Sequence, residues 1–320
     1  MKNKTYFISE IAQGYEGNYN LAKKLIMETS NTGADIIKFQ LIFAEELATK
    51  DYIHYKLFKK LEIPKIQWQV LVKKAKKLKL KVYFDIFGSK SLSLCEKLRV
   101  DGIKIHPTDI NNLNLLNAVN KSKIKNVILG IGGARIEDIK KATRILKKNL
   151  IIMIGFQSYP TPNNENNLYK LIYLRKIIKK KILLGYADHS IDNSVSVIIP
   201  AILLGAQFIE KHFTIKTKRP LEDSESAVLS KEFRHIIKSS KKALDALGNS
   251  KNKKKYFLSK NEIQYKKNIQ RSLILKKDIL KNTKLTNFNL FDLKRTSKKN
   301  TFTDFKQIKN KKIKYNLKIN

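Results

Sequence analysis

Short apolar runs alternate with longer amphipathic stretches along most of the chain, one pair about every 25 to 35 residues, which is the spacing of repeated strand–helix units. The runs lie at residues 6–12, 35–41, 82–87, 102–106, 126–131, 150–156, 182–187 and 207–212. They are almost continuously apolar, as parallel strands buried on both faces are. Residues 19–30, 66–78, 91–98, 112–120, 136–146, 166–179 and 193–204 carry apolar side chains three and four apart and predict helices with one inward face. A further helix over 231–247 closes the ring. The pattern predicts an α/β fold of the (β/α)8 barrel type rather than a sandwich.

The periodicity stops after Leu247, where Gly-Asn-Ser-Lys-Asn-Lys-Lys-Lys reads as a linker. The expected division is a barrel over 1–248, a linker over 249–261 and a small β-rich module over 262–320. Two short strands, at 271–275 and 290–293, should flank a turn at Lys281-Asn282. So small a module needs a surface to pack on, either its own barrel or a partner's.

Composition narrows the class. With 320 residues, 42% of them hydrophobic, the chain has ample core. The single cysteine, Cys95, forms no internal disulfide framework, and no apolar run approaches the roughly 20 residues of a membrane span, so a cytoplasmic protein is expected. The N-terminal Tyr6-Phe7-Ile8 is interrupted by Ser9 and Glu10, unlike a signal peptide. A formal net charge of +39 would ordinarily point to nucleic acid, but the lysines are spread over helix faces and turns throughout. They accompany abundant Asn and Ile, the signature of an AT-rich coding sequence, and no recognition motif joins them; no specific nucleic acid is expected.

In a barrel, chemistry sits where strands end. Reading those positions gives Glu10, Lys38, Gln40, Asp85, Lys104, His106, Asp109, Gln157, Tyr159, Asp188, His189, Glu210 and His212. Two of the five histidines end similar apolar runs, Gly185-Tyr186-Ala187-Asp188-His189 and Phe208-Ile209-Glu210-Lys211-His212. Either the pair holds a divalent metal, or each histidine satisfies a strand-end carbonyl. Lys38 and Lys104 interrupt apolar strands, where an ammonium needs an anion. That anion is a phosphate or carboxylate ligand, or else an internal partner such as Glu10 or Asp109. His106 is an extra ligand or substrate contact, or is bonded to Asp109 or Asp85. Gly130-Ile131-Gly132-Gly133 is a glycine-rich turn able to present amides to a phosphate, a weak signal by itself.

Six segments resemble the sialic acid synthase family in order and spacing: Ser9-Glu10-Ile11-Ala12, Gly33 to Gln40, Gly102-Ile103-Lys104-Ile105, Tyr159-Pro160-Thr161-Pro162, Gly185 to His189, and Ile209 to Thr214. The resemblance runs nearly end to end, with Arg271-Ser272-Leu273 and Lys277-Asp278-Ile279 similar to that family's antifreeze-like (SAF) module. It implies a transferase that condenses phosphoenolpyruvate with an N-acylated amino sugar to a sialic-acid-like nonulosonic acid, with loss of phosphate. It also implies a divalent metal, Mn2+ or Mg2+, on His189 and His212, polarising the sugar aldehyde. By the same resemblance Lys38, Gln40, Lys104, Thr108 and Gln157 bind phosphoenolpyruvate, and Glu10, Asp109 and Asp223 orient substrate and move protons. Glu10, Tyr159, Asp188, Glu210 and Arg295 would contact the sugar, Arg295 from a domain-swapped homodimer partner.

The chain departs from the family where small hydroxyl side chains are usual. Asp85 stands in place of one, Gly130-Ile131-Gly132 replaces Ser-Thr-Gly, Ala187 replaces Ser, and His106-Pro107-Thr108-Asp109 replaces Pro-Ser-Gly-Glu. Asp223-Ser224 stands for Asp-His, and Thr296-Ser297-Lys298-Lys299 follows Arg295 in place of Pro-Gly-x-Gly. These changes point to a divergent branch with another acceptor, while retained lysines and histidines argue for an enzyme. The alternatives are the same condensation with a different aldose, giving another 3-deoxy-keto acid, and a catalytically silent barrel that binds polyanions.

Overall fold

A computed structural model describes residues 4–155, 158–191, 195–248, 256–298 and 301–319. It divides into two compact units, Met1–Ser250 and Lys251–Asn320.

In the first unit the strands β1 (Tyr6–Ala12), β2 (Ile36–Gln40), β3 (Lys81–Ile86), β4 (Gly102–Ile105), β5 (Asn126–Gly130), β6 (Asn149–Gly155), β7 (Leu183–Asp188) and β8 (Phe208–His212) close into a parallel barrel in chain order. Closure runs through β1 and β8, with Glu10 opposite His212. The helices are α1 (Tyr19–Ser30), α2 (Ala44–Leu47), α3 (Tyr55–Lys60), α4 (Lys65–Lys77), α5 (Ser89–Leu98), α6 (Leu113–Lys121), α7 (Ile136–Ile145), α8 (Tyr169–Ile177), α9 (Val195–Leu203) and α10 (Ser230–Ala246). The fold is the (β/α)8 barrel that the apolar pattern predicts, with boundaries moved by a residue or two at most strand ends. Asn18 caps α1 by accepting from the Leu21 amide, and Asn112 caps α6 through the Leu115 amide.

Because strand side chains alternate, each strand feeds two cores. Outward residues such as Phe7, Ile37, Phe84, Ile103, Leu129, Ile152, Leu184 and Ile209 join the helices in one continuous apolar shell. Residues of the other parity, Ile8, Ile36, Tyr83, Ile128, Ile151, Met153, Ala187 and Phe208, form a separate plug, with Tyr6 and Leu183 packed against it. Two residues further along the same parity come Glu10, Lys38, Asp85 and Glu210, so the apolar plug gives way to a charged layer at the C-terminal end of the strands. Gly102 exists for this packing: a Cβ there would lie 2.4 Å from the Tyr83 ring.

The second unit contains α11 (Lys260–Ile269), which Ser259 and Glu262 open as a reciprocal capping box, and the antiparallel pair β9 (Ser272–Leu275) and β10 (Phe291–Lys294). Lys260 and Asn261, read from sequence as linker, are the first turn of α11. Asn282 takes φ +68° at the expected turn. Ile279, Leu285, Phe291 and Ile308 make its small core.

Candidate active site

The charged layer floors a cavity of about 270 Å³ at the C-terminal mouth of the barrel. Glu10, Gln40, Asp85, Lys104, His106, Tyr159, His189, Glu210, His212 and Asp223 line it, together with Gln13, Pro107, Met153 and the small residues Gly130, Gly132, Gly155 and Ala187. The site is asymmetric. Side chains from β1 to β4 and β8 are ionic or polar, whereas among the described residues the strands β5 to β7 themselves offer a smooth wall of Gly130, Met153, Gly155 and Ala187, with Tyr159 and His189 on the segments that follow β6 and β7.

Lys38 lies just beneath, fully buried. Its ammonium meets Glu10 Oε2, stands 2.7 Å from Asp85 Oδ1 and 3.6 Å from Glu210 Oε2. Lys104 Nζ donates to Glu210 Oε1 at 2.5 Å. The internal partners of the lysines are therefore Glu10, Asp85 and Glu210; Asp109, expected as one, takes no part. Burial drives the Lys38 ammonium toward its neutral form against the pull of Asp85 and Glu210. For Glu210 burial works upward, but Lys104 and Lys38 outweigh it and hold the carboxyl at about 2. Lys104 loses to burial less than it gains from Glu210 and Asp85, so it stays charged at neutral pH.

His189 and His212 face each other across the mouth with ring centroids 5.3 Å apart, and Tyr159 sets its ring edge-on to both, at 5.4 and 5.0 Å. Burial, then repulsion from His189 and the lysines, keeps His212 neutral, and its Nδ1 is buried without a hydrogen-bond partner. A neutral imidazole with an unused lone pair beside a second histidine is a donor set that fits a divalent cation. Among the described residues no group of three or more His, Cys, Asp or Glu forms a closed cage, so water or substrate oxygens would complete the coordination.

Asp188, expected at the sugar, is turned elsewhere. Its Oδ1 accepts from the Ser190 amide and hydroxyl, and its Oδ2 lies 3.0 Å from Lys211 Nζ, with both side chains fully buried. Lys211 also donates to the Ser190 carbonyl at 2.7 Å, which ties together the segment carrying His189. Lys211 was missed in the sequence, although an ammonium inside an apolar strand is the signal that singled out Lys38 and Lys104.

His106 is bonded neither to Asp109 nor to Asp85. Its Nδ1 accepts from the Thr108 amide at 3.4 Å and pairs with the Thr108 hydroxyl at 2.8 Å, which puts the ring proton on Nε2. Burial, with Lys104 and Lys38, lowers its pKa to about 4, so the ring is a neutral N–H donor at physiological pH. Thr108 is thereby committed to His106. Asp109 accepts from the Asn112 side chain, which caps α6, and neither Thr108 nor Asp109 lines the cavity. Gln157 lies outside the described residues. Arg295, just past β10, belongs to the second unit and is exposed.

Asp223 completes the rim. Its Oδ2 accepts from the Gln13 amide at 3.2 Å, its carbonyl accepts from the Tyr159 hydroxyl at 2.6 Å, and burial raises its pKa from 3.8 to about 6. The protonated carboxyl therefore contributes stability that is complete below pH 3.8 and is lost as pH rises through about 6. Asp223→Asn is expected to gain on the wild-type protein between pH 5 and pH 8. Thermal melts at the two values check this, and a difference independent of pH would remove the burial argument.

The chain as a whole has counterparts among known proteins. The NeuB family matches residues 25–252. The chain belongs to the NeuB family. An uncharacterized protein of Methanocaldococcus jannaschii is 31% identical over 237 residues, 73% of this chain and 69% of the relative. The N,N'-diacetyllegionaminic acid synthase of Campylobacter jejuni is 29% identical over 307 residues, covering 90% of this chain and 89% of its own. Among solved structures, the N-acetylneuraminic acid synthetase of Leptospira borgpetersenii, in complex with citrate, aligns over 83% of this chain and 92% of that chain at 27% identity and a TM-score of 0.75. In this NeuB chain, as in the relatives named as synthases, the fold is an enzyme's, and among the described residues no helix is long and apolar enough to cross a membrane.

Proposed function

We propose that the chain condenses phosphoenolpyruvate with an N-acylated amino sugar, forming a sialic-acid-like nonulosonic acid and releasing phosphate. The observation that carries this reading is one cavity with Lys104 at its floor, Lys38 buried just beneath, and the His189–His212 pair at the rim. The lysines supply positive charge for the donor's anionic end. Glu10, pinned by the Ala12 amide at 2.6 Å and by Lys38, orients the donor and the incoming carbonyl. His106 Nε2–H donates to a ligand oxygen without exchanging its proton. Asp223, largely ionised above pH 6, accepts a proton at the rim. The smooth wall of Gly130, Gly155 and Ala187 leaves room for the acceptor's substituents. A divalent cation, Mn2+ or Mg2+, on His189 and His212 would supply Lewis-acid polarisation of the acceptor aldehyde.

The second unit is read as an SAF module, and Arg295 as its contribution to the acceptor site of a partner subunit in a homodimer. The test is phosphate release from phosphoenolpyruvate with manganese across N-acetylated and diacetamido hexoses, with a chelator control. One sugar should support release, and the chelator should abolish it. In the same assay Arg295→Ala should raise the acceptor KM and leave the donor KM unchanged. Silence across the panel, with no sugar or donor binding, sinks the enzymatic reading. An unchanged acceptor KM sinks the role of Arg295.

A further inference from the structure

We propose that Asp85 is a built-in counter-anion that occupies Lys38 where an anionic group of the donor must bind, and that it thereby sets which donors the cavity accepts. This rests on reading the floor of the cavity as the donor's anion site. Two ammonium groups there, Lys38 and Lys104, face three buried carboxylates, Glu10, Asp85 and Glu210. In a chain of net charge +39 the floor thus holds one carboxylate more than its ammonium groups, with no surplus positive charge. Among the described residues Lys104 is the one ammonium lining the cavity. A phosphorylated donor brings several negative charges into this layer, where low local dielectric makes like charges costly.

Of the three carboxylates, Asp85 is the one free to yield. Glu10 is also held by the Ala12 amide, and Glu210 accepts from Lys104 at 2.5 Å. Asp85 hydrogen-bonds to Lys38 alone among the described residues. It stands beside Gln40 and Lys104 in register at the end of β3, on the cavity surface. The opposite wall, Gly130, Gly155 and Ala187, has no hydroxyl side chain to take over a phosphate's oxygens. A phosphate already held by Lys104 and His106 meets Asp85 as a like charge and must displace it to reach Lys38 beneath, whereas a single carboxylate makes a smaller demand. Asp85 is a specificity-determining residue that weakens, without excluding, the binding of a phosphorylated donor.

The test is calorimetric titration of the full chain with inorganic phosphate, phosphoenolpyruvate and pyruvate, for wild type, Asp85→Asn and Asp85→Ser. Removing the carboxylate should tighten phosphate and phosphoenolpyruvate binding about tenfold or more, equivalent to about 1.4 kcal/mol, and pyruvate binding distinctly less. The asparagine keeps the shape and the serine relieves any crowding, so one folded variant suffices. Measurable phosphate binding of equal strength in all three proteins overturns the role of Asp85 and leaves the donor site standing. Absence of phosphate and phosphoenolpyruvate binding in every protein overturns both.

Discussion

Replacing Lys38 by methionine is expected to lower the melting temperature of the barrel by about 10 °C, since breaking a buried ion pair costs about 3–5 kcal/mol and a domain of this size loses about 2–4 °C per kcal/mol. The reason is what remains. Methionine fills much of the same volume, but Glu10, Asp85 and Glu210 are left around the single ammonium of Lys104. Neutralising one of them should restore part of the loss, so Lys38→Met combined with Asp85→Asn should melt above Lys38→Met alone. This coupling separates an electrostatic origin from simple misfit. If the double variant melts at or below the single one, the carboxylates are not what Lys38 holds in place. Turnover should fail in both.

His212→Ala should act in the opposite sense, leaving the fold nearly untouched and removing activity. His212 is buried and neutral, and its Nδ1 has no hydrogen-bond partner to orphan. A Lewis acid supplies several kcal/mol to a developing charge, and each 1.36 kcal/mol is tenfold in rate, so the expected loss is about 10³-fold. Manganese titration of the protein gives the second readout, independent of turnover. Binding should fall steeply in His212→Ala and in the His189 counterpart. Unchanged manganese affinity would take the cation away from this pair of rings.

The barrel was legible in the sequence because strands buried on both faces cannot hide: their apolar runs are continuous and regularly spaced. What interrupts such a run is equally visible, which is why Lys38, Lys104 and Glu210 stood out. The short helices α2 and α3 were not seen, since one spans a single turn and the other buries no residue, leaving no periodicity to read. Partnership was the harder matter. That Lys38 meets Asp85 depends on the pairing of β2 with β3 and on the register that sets Gln40 beside Asp85, and neither is written in either strand. Lys104 on β4 pairs with Glu210 on β8 across 106 positions of sequence because the closed barrel turns both toward its interior. The resemblance assigned Asp188 to the sugar, but its carboxylate turns to Lys211 and Ser190 although it adjoins His189.

Gly130 and Pro107 bind two departures from the family pattern into one. A Cβ on Gly130 would lie 2.7 Å from the Pro107 ring, so a serine does not fit at position 130 while proline stands at 107. Positions 130 and 107 therefore vary as a unit: a side chain fits at 130 only once the ring at 107 is gone, so the shape of this wall is set by a pair of residues at the ends of neighbouring strands and not by either one.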